Sequence, residues 1–250
     1  MYFKILRENL THHGYTYHEG INEDPNPFDP VSNCRGGLFF SDEKEVLGFC
    51  NYGTKIAEVT IPDGEAIVSV GEGYKAHRII LGQIRELWTK GTLEWIISCG
   101  ADIHACDDFA FCWISKKGDE EMVRLLLESG ADVHVDNDYA LRHASENGHE
   151  EVVGALLESG ADVHAEGDYA LRWAAQNGYD EVVKILLELG ADVHIRDDFA
   201  LRWASANGHL EVVKFLLESG ANVHARNNFA LHWASRNGHM EVVEYLKSLY

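Results

Sequence analysis

A 30-residue period constrains this chain more than any other feature of its sequence. Gly-Ala-Asp or Gly-Ala-Asn occurs at residue 100 and then at every thirtieth residue as far as residue 220. Each unit carries two short apolar stripes with helical spacing, and neither helix can bury its stripe alone. The units must therefore stack on one another, which predicts a mainly α-helical solenoid of repeats.

Residues 160–189 indicate how one unit folds. A first helix is predicted over 169–176, and Gly178 supplies its C-terminal stop. The second helix begins at Asp180, an acid that suits the positive end of the helix dipole, and Gly190 ends it. Two helices joined by a tight turn are therefore expected in every unit.

The wording of these units resembles the ankyrin repeat. NGHLEVVKFLLESGANVHA at 207–225 is similar, almost position for position, to the family's second helix and following turn. Phe-Ala-Leu-Arg at 199–202 replaces the family's Thr-Pro-Leu-His opening, and each unit is three residues shorter than the usual 33. The missing residues fall where the family projects a β-hairpin finger, so we expect short loops. Thirty-residue units of this wording resemble the ankyrin proteins of giant DNA viruses of the mimivirus kind.

The period also sets the predicted domain boundaries. Residues 82–99 look like a shortened helix pair that forms a truncated cap. Five full helix pairs follow, at 100–129, 130–159, 160–189, 190–219 and 220–249. In the last helix Lys247 stands where earlier units have leucine, which fits a face that no further repeat covers.

Residues 1–81 lack the period and contain all four prolines. They predict a small α+β module that precedes the solenoid of residues 82–250 and is similar to N-terminal modules of giant-virus repeat proteins. Strands are predicted over 2–6, 37–40, 55–61, 66–70 and 77–81. A short helix is expected to begin with Ser41 as its N-cap.

Charge and motifs exclude several classes of function. The net charge is −20, and residues 99–250 account for −15 of it, which disfavours nucleic acid and anionic membrane. No apolar run is long enough to span a membrane, and MYFKILRENL lacks the apolar core of a secretory signal. Five cysteines without a CxxC pair indicate reduced thiols in an intracellular protein, in the host cytoplasm if viral. No catalytic motif is found, and we expect no enzyme, cofactor or metal.

A histidine follows each Asp-Val or its equivalent, at His104, His134, His164, His194 and His224. Helix pairs stack about 8–10 Å apart, too far for successive histidines to share one zinc ion. We interpret the column as turn residues that hydrogen-bond neighbouring backbone. The resemblance adds a second hypothesis, since the family's asparagine at this position is hydroxylated by an asparaginyl hydroxylase. The candidate hydroxylation sites are His134, His164, His194 and His224. His149, His209 and His239, which follow the helix-ending glycine, are interpreted as structural.

Aromatic and arginine residues also recur once per unit. The aromatic column is Phe109, Tyr139, Tyr169, Phe199 and Phe229, and the tryptophan series is Trp113, Trp173, Trp203 and Trp233, with His143 in its place in one unit. Identical residues at identical repeat positions predict packing between repeats. Arg142, Arg172 and Arg202 each follow an aspartate by four residues, which predicts a helical ion pair.

Positions that vary between units are the candidates for recognition. In the ankyrin family such positions line a concave groove that binds proteins, and the resemblance implies the same here. The predicted protein-binding residues are Lys116, Lys117, Asp136, Asn137, Glu146, Glu166, Gln176, Arg196, Asp197, Ala206, Arg226, Asn227 and Arg236. We expect a non-enzymatic, monomeric scaffold that binds a host or viral protein.

Two alternatives remain open. Residues 1–81 form a small tethered enzyme in the first, because 36–41 faintly resembles the core strand of ADP-ribosyltransferase-like folds. The polar cluster His12, His13, Tyr15, Tyr17 and His18 could also host acid–base chemistry, although a strand edge accounts for it. In the second, the C-terminal repeat stacks on another copy through residues 245–250.

Overall fold

The computed structural model describes residues 1–12, 14–32 and 36–249. The chain divides into two compact units, Met1–Trp113 with Arg124–Asp132, and Ile114–Val123 with Val133–Tyr250. The first unit holds a β-sheet and the second consists of helices. No helix in the described part of the chain is long and apolar enough to cross a membrane.

Short strands built from the first 86 residues make an antiparallel sheet with the order β4-β9-β6-β1-β5-β8-β7 and with β10 also paired to β6. The strands are β1 (Tyr2–Leu6), β2 (Thr11–His12), β3 (Tyr15–Thr16), β4 (Gly20–Glu23), β5 (Leu38–Asp42), β6 (Lys55–Thr60), β7 (Val68–Val70), β8 (Gly73–Ala76), β9 (Arg78–Leu81) and β10 (Arg85–Glu86). The remaining two, β2 and β3, pair with each other. Leu6, Tyr17, Phe40 and Ile79 belong to one buried cluster on this sheet.

The helix expected to begin at Ser41 is wrong. Ser41 lies in β5 opposite Phe3 of β1 and is buried, because ladder pairing between two apolar strands outweighs its capping preference. A 3-10 helix, Val46–Tyr52, follows instead. The five predicted strands are all present, and β2, β3, β4, β8 and β10 are additional.

The helix pair expected over 82–99 is wrong in its first half. Residues Arg85–Glu86 form β10, and one helix, α1 (Lys90–Ser98), follows. The Thr89 side chain accepts a hydrogen bond from the Thr92 N–H at 3.3 Å and caps this helix. The ring of Trp95 on α1 packs edge-to-face on Phe3 of the sheet, with 5.6 Å between centroids.

After α1, first helices of thirteen residues alternate with second helices of eight or nine residues. They are α2 (Ala105–Lys117), α3 (Glu120–Glu128), α4 (Val135–Asn147), α5 (Glu150–Glu158), α6 (Ala165–Asn177), α7 (Asp180–Glu188), α8 (Ile195–Asn207), α9 (Leu210–Glu218), α10 (Ala225–Asn237) and α11 (Met240–Lys247). Gly178 ends α6 in the left-handed conformation, with φ at 83°, which a side chain would disfavour. Val182, Val183 and Leu186 form the buried stripe of α7. The two-helix unit predicted from the period is confirmed.

Helices stack in register within the second unit. There α4 contacts α6, α6 contacts α8 and α8 contacts α10, while α7 packs on both α5 and α9. Lys247 at the end of α11 is exposed.

Candidate functional site

The first helix of each repeat, over the range given above, begins with a short turn of left-handed backbone conformation. In α4 the turn residues Asp136, Asn137 and Asp138 have φ of 48°, 53° and 57°, and corresponding residues of the other first helices share this conformation. The Asp138 N–H donates to the His134 carbonyl at 3.3 Å and closes the turn. Aspartate and asparagine tolerate these angles better than most residues. The turn is the short loop expected where three residues of the usual repeat are missing.

A buried aspartate ends the turns at residues 108, 138, 168 and 198, and its carboxylate accepts a hydrogen bond from the backbone of the next repeat. Asp168 is 3% exposed. Its Oδ1 accepts hydrogen bonds from the ring Nδ1 of His164 at 3.1 Å and from the Asp192 N–H of the following repeat at 2.8 Å. Asp138 and Asp198 are bonded in the same way, to residues 162 and 222 respectively. A charged acceptor shared between repeats is among the stronger hydrogen-bond arrangements.

The histidines at positions 104, 134, 164, 194 and 224 make a structural hydrogen bond, but it is to a side chain and not to the backbone as expected. The ring of His134, His164 and His194 bonds to the aspartate four residues later rather than to backbone. His224 bonds to Asn228 at 2.8 Å, and His104 in the first unit bonds to Asp108. The hydrogen bond to Asp108 raises the pKa of His104.

The predicted helical pairing of Asp with Arg is wrong. The guanidinium of Arg172 donates from Nε to the Gly167 carbonyl at 2.9 Å and from Nη2 to the Glu166 carbonyl at 3.0 Å. The Asp168 carboxylate is already engaged by the histidine and the next repeat. Arg172 therefore satisfies the carbonyl groups of the left-handed turn, and burial lowers the pKa of its guanidinium.

The same arginines stack between the aromatic rings of successive repeats. Arg172 lies 5.6 Å from the Tyr169 centroid and 5.5 Å from that of Phe199, and Arg202 lies 5.0 Å from that of Phe229. A ladder of alternating aromatic rings and guanidinium groups follows, with cation–π attraction at each step. In residues 220–249 His232 replaces the arginine, and its ring lies edge-to-face on Trp233 with 5.9 Å between centroids.

Packing of the tryptophan series is confirmed. Trp203 contacts Phe199 at 5.8 Å between centroids and Phe229 of the next repeat at 5.9 Å. His143 takes the equivalent place, with its ring tilted by 39° against Tyr139 at 4.0 Å between centroids and its Nδ1 2.8 Å from the Glu146 carboxylate. Burial lowers the pKa of His143. Trp203 nonetheless keeps 36% of its surface exposed, so the series also presents aromatic surface to solvent.

The predicted binding residues divide between the two ends of the first helices. Asp136, Asn137, Glu166, Arg196, Asp197, Arg226 and Asn227 belong to the left-handed turns, whereas Lys116, Lys117, Glu146, Gln176, Ala206 and Arg236 lie at the C-terminal ends. Right-handed helix from Tyr139 to Glu146, about 10 Å long, separates the turn residues of this unit from Glu146. The two sets are therefore distinct surfaces rather than one patch.

The turn set is linked along the stack. The Asn137 Nδ2 donates to Glu166 at 3.3 Å, and Arg226 of one turn forms a 2.6 Å ion pair with Asp197 of the turn before it. These contacts join exposed side chains of neighbouring repeats, and exposed pairs stabilise a fold little.

Glu146, Gln176 and Ala206 come together along an open groove of about 860 Å³ in the second unit. The Tyr169 hydroxyl donates to Glu146 at 3.2 Å and holds that carboxylate in place. Ala206 is 2% exposed, so its side chain offers a partner no contact. At the end of the series the guanidinium of Arg236 lies 4.7 Å over the Trp233 ring.

A row of asparagines along the same groove was missed by the sequence analysis. Asn177 Nδ2 donates to the Glu146 carbonyl of the preceding repeat at 2.8 Å, and Asn207 and Asn237 repeat the contact on Gln176 and Ala206. The Asn-Gly pair that recurs at 147–148, 177–178, 207–208 and 237–238 could have predicted this row, but we interpreted the pair only as the end of the helix.

The histidines after each helix-ending glycine are structural, as predicted. His209 donates to the Gln176 carbonyl at 3.0 Å, and its ring leaves no room for a Cβ at Gly178. His149 makes the same contact on the Lys116 carbonyl. Two constraints therefore favour glycine at position 178: its φ is positive, and the His209 ring occupies the space that a Cβ would need.

In the first unit the polar cluster near residue 15 lies at strand ends. Tyr15 packs on Tyr17 with 4.8 Å between centroids and donates to Asn22 at 3.3 Å, while His18 contacts the Glu19 carbonyl. His12 lies in β2, and His13 lies outside the described residues. The contacts of His12, Tyr15 and His18 fit the strand-edge interpretation, whereas Tyr17 is 4% exposed and belongs to the buried cluster of the sheet.

One group of potential metal ligands occurs among the described residues. Donor atoms of Glu45, Glu72 and Cys106 lie within 4.8 Å of one another. Burial is the main reason that the pKa of the Cys106 thiol is raised, which disfavours the thiolate that binds metal. One half-buried and one exposed carboxylate beside a thiol of raised pKa are a weak ligand set.

Helix pairs of this length, stacked in register through a constant core and presenting variable first-helix positions, define a helical-repeat protein. The family model for ankyrin repeats matches three times, over residues 88–167, 115–197 and 171–249. These matches cover more than half of the sequence, and the chain belongs to the ankyrin-repeat family.

Curated relatives come from Acanthamoeba polyphaga mimivirus. One "putative ankyrin repeat protein" is 32% identical over 51% of this chain and 67% of its own length. Another is 35% identical over 50% of this chain and 40% of its own length. An uncharacterized protein of the same virus is 31% identical over 51% of this chain and 97% of its own. The chain is therefore similar to giant-virus ankyrin proteins over about half of its length.

Proposed function

We propose that the protein is a non-enzymatic scaffold that binds a host or viral protein through the C-terminal ends of its first helices. In this proposal α1 forms a truncated cap, five ankyrin repeats follow, and residues 1–81 are a separate module. The partner-binding face, which we expect to be concave, consists of Glu146, Gln176 and Arg236 together with the exposed edges of the tryptophan series. We expect the protein to act as an intracellular monomer.

The observation that carries this proposal is the contrast between variable and constant residues along one groove. The asparagine and histidine contacts that build the groove recur in successive repeats. The side chains placed between them change from Glu146 to Gln176, and at the third position the buried Ala206 offers a partner no side-chain contact. A rigid groove of this kind loses little conformational entropy on binding, and its changing side chains supply specificity.

Charge indicates the kind of partner segment that would bind. Glu146 is fixed by Tyr169, and residues 99–250 carry a net charge of −15. Such a field attracts basic segments and speeds their association. Aromatic surface at Trp203 adds an apolar contact of the type that dominates interface energies.

Affinity capture from host-cell lysate with two arginine variants tests the face. Gln176→Arg places a positive charge in the groove, while the matched control Glu166→Arg changes an exposed turn residue of the same repeat. A protein retained by the wild type and by Glu166→Arg, but lost by Gln176→Arg, supports the proposal. Equal recovery with all three chains contradicts it and returns the function to residues 1–81. Sedimentation of the purified chain decides whether it self-associates through its C-terminal repeat.

Hydroxylation of His134, His164, His194 or His224 is a separate proposal. Their side chains are more than half exposed at the first three positions, which gives an enzyme access to them. Co-expression with an ankyrin asparaginyl hydroxylase should add the mass of one oxygen per modified site. An unchanged intact mass would reject the modification.

A further inference from the structure

The sheet of the first unit contains an aromatic-lined cavity of about 770 Å³. Residues of β1, β5 and the 3-10 helix contribute to its wall, among them Phe39, Phe40, Phe49, Tyr52 and Tyr74. Cavities of roughly 300–1,000 Å³ with apolar walls and a few polar groups are typical of small-molecule sites. The chemistry of the polar groups then decides what such a cavity can hold.

Lys4 supplies the most distinctive polar group on this wall. It lies in the middle of β1 and is 5% exposed. Its Nζ donates to the Phe39 carbonyl and lies 4.4 Å from the centroid of the Tyr17 ring. Lys4, Tyr17 and Phe39 all contribute to the cavity wall, so the lysine and the two residues that contact its amine belong to the same lining.

The Lys4 amine has no anionic partner. Within the described part of the chain, no carboxylate lies within 4.0 Å of Nζ, and burial alone lowers its pKa to about 7. A buried ammonium without a counter-ion is costly, and one carbonyl with one aromatic face compensates for only part of its lost hydration.

The other buried lysine of this sheet, Lys75, has a structural role and provides a comparison for Lys4. Lys75 is 0% exposed, and its Nζ donates to the carbonyls of Asp29 and Ser32. It also faces the rings of Phe28 and Phe39, at 5.6 and 5.9 Å. Lys75 therefore fixes the 24–32 loop, whereas Lys4 fixes no comparable segment.

We propose that this cavity binds a small amphipathic carboxylic acid, with the carboxylate paired to the Lys4 ammonium and the apolar body against the aromatic wall. Arg7 and His12 also line the cavity, but Arg7 is exposed to solvent, so the buried Lys4 amine is the cation that we match to one negative charge. Glu72 also lines the cavity and disfavours a more highly charged anion such as a phosphate dianion. The site is independent of the protein-binding face proposed above.

Fluorescence titration of the full chain with dansylaminoundecanoic acid tests the proposal, and the primary amide of the same probe supplies a neutral comparison. The wild type should bind the acid about tenfold or more tightly than the amide, as a charge-assisted hydrogen bond implies. Lys4→Met should reduce acid binding to the amide level and leave amide binding unchanged. The control Lys44→Met, at an exposed lysine, should bind both probes like the wild type.

Three results would overturn the proposal. The first is a wild type that binds neither probe, and the second is a wild type that binds acid and amide equally. Both are measured without any substitution, so they decide the question even if Lys4→Met fails to fold. The third is a Lys4→Met protein that retains wild-type affinity for the acid.

Discussion

The two regions of this molecule treat buried charge in opposite ways. In the helical repeats, each buried aspartate accepts from a histidine and from the next repeat, and each buried arginine donates to turn carbonyls. In the sheet, Lys4 is as deeply buried and has no anion beside it. The buried charges of the repeats recur together with their hydrogen-bond partners, which indicates that they stabilise the stacking of the repeats. Among the described residues, the buried Lys4 ammonium has no anionic partner, so stacking does not explain why it is there. Substitutions in the two regions should therefore differ in sign.

The largest loss is expected from Asp168→Ala in the repeats. This change removes the acceptor of the Asp192 N–H and of the His164 ring, and it leaves a buried donor unsatisfied. We expect the free energy of unfolding to fall by about 3 kcal/mol. Urea denaturation followed by circular dichroism measures it.

Two companion variants sharpen the interpretation of Asp168→Ala. Asp168→Asn keeps an acceptor oxygen, as Asn228 does in the last unit, and should cost only about 1 kcal/mol. Glu166→Ala changes an exposed residue of the same turn and should cost about 0.5 kcal/mol or less. Equal losses from Asp168→Ala and Glu166→Ala would mean that the turn conformation, not the bridging carboxylate, matters.

This bridge also shows what sequence could predict and what it could not. The period and apolar stripes predict the helix pairs, since only stacking buries those stripes. The partner of Asp168 was not predictable, because Arg172 lies at favourable helical spacing and the left-handed turn that redirects it depends on the shortened loop. In the sheet, the two-residue strands β2, β3 and β10 are too short to show alternation. Ser41 was misplaced because its capping signal is local and its strand pairing is not.

The second effect is a pH dependence confined to the sheet. An unfolded chain keeps the Lys4 proton up to its ordinary pKa of 10.5, while the folded chain releases it near 7. Between these values the unfolded state binds more protons, so the free energy of unfolding should rise with pH, by about 1.4 kcal/mol per pH unit at most. Tyr17, the ring beside the amine, stays neutral in this window because burial raises its pKa.

Lys4→Met isolates this dependence from other titrating groups. The difference in unfolding free energy between Lys4→Met and wild type should favour the variant at pH 6 and shrink as the pH rises from 7 to 9. Parallel pH profiles for the two proteins would show that the amine is solvated, which would remove the contrast between the regions.

The third effect is a similar cation-to-methionine change in the repeats, with the opposite sign. Arg172→Met removes two hydrogen bonds to turn carbonyls and the guanidinium between Tyr169 and Phe199, and we expect a loss of about 2 kcal/mol. Arg196→Met, at an exposed arginine of the next turn, is the control and should lose about 0.5 kcal/mol or less. Because methionine fills a similar space in each case, packing alone predicts equal effects for Lys4 and Arg172. If Lys4→Met stabilises the protein and Arg172→Met destabilises it, the difference must come from the hydrogen-bond partners of the two cations. If both variants change the free energy of unfolding in the same direction, this explanation is wrong.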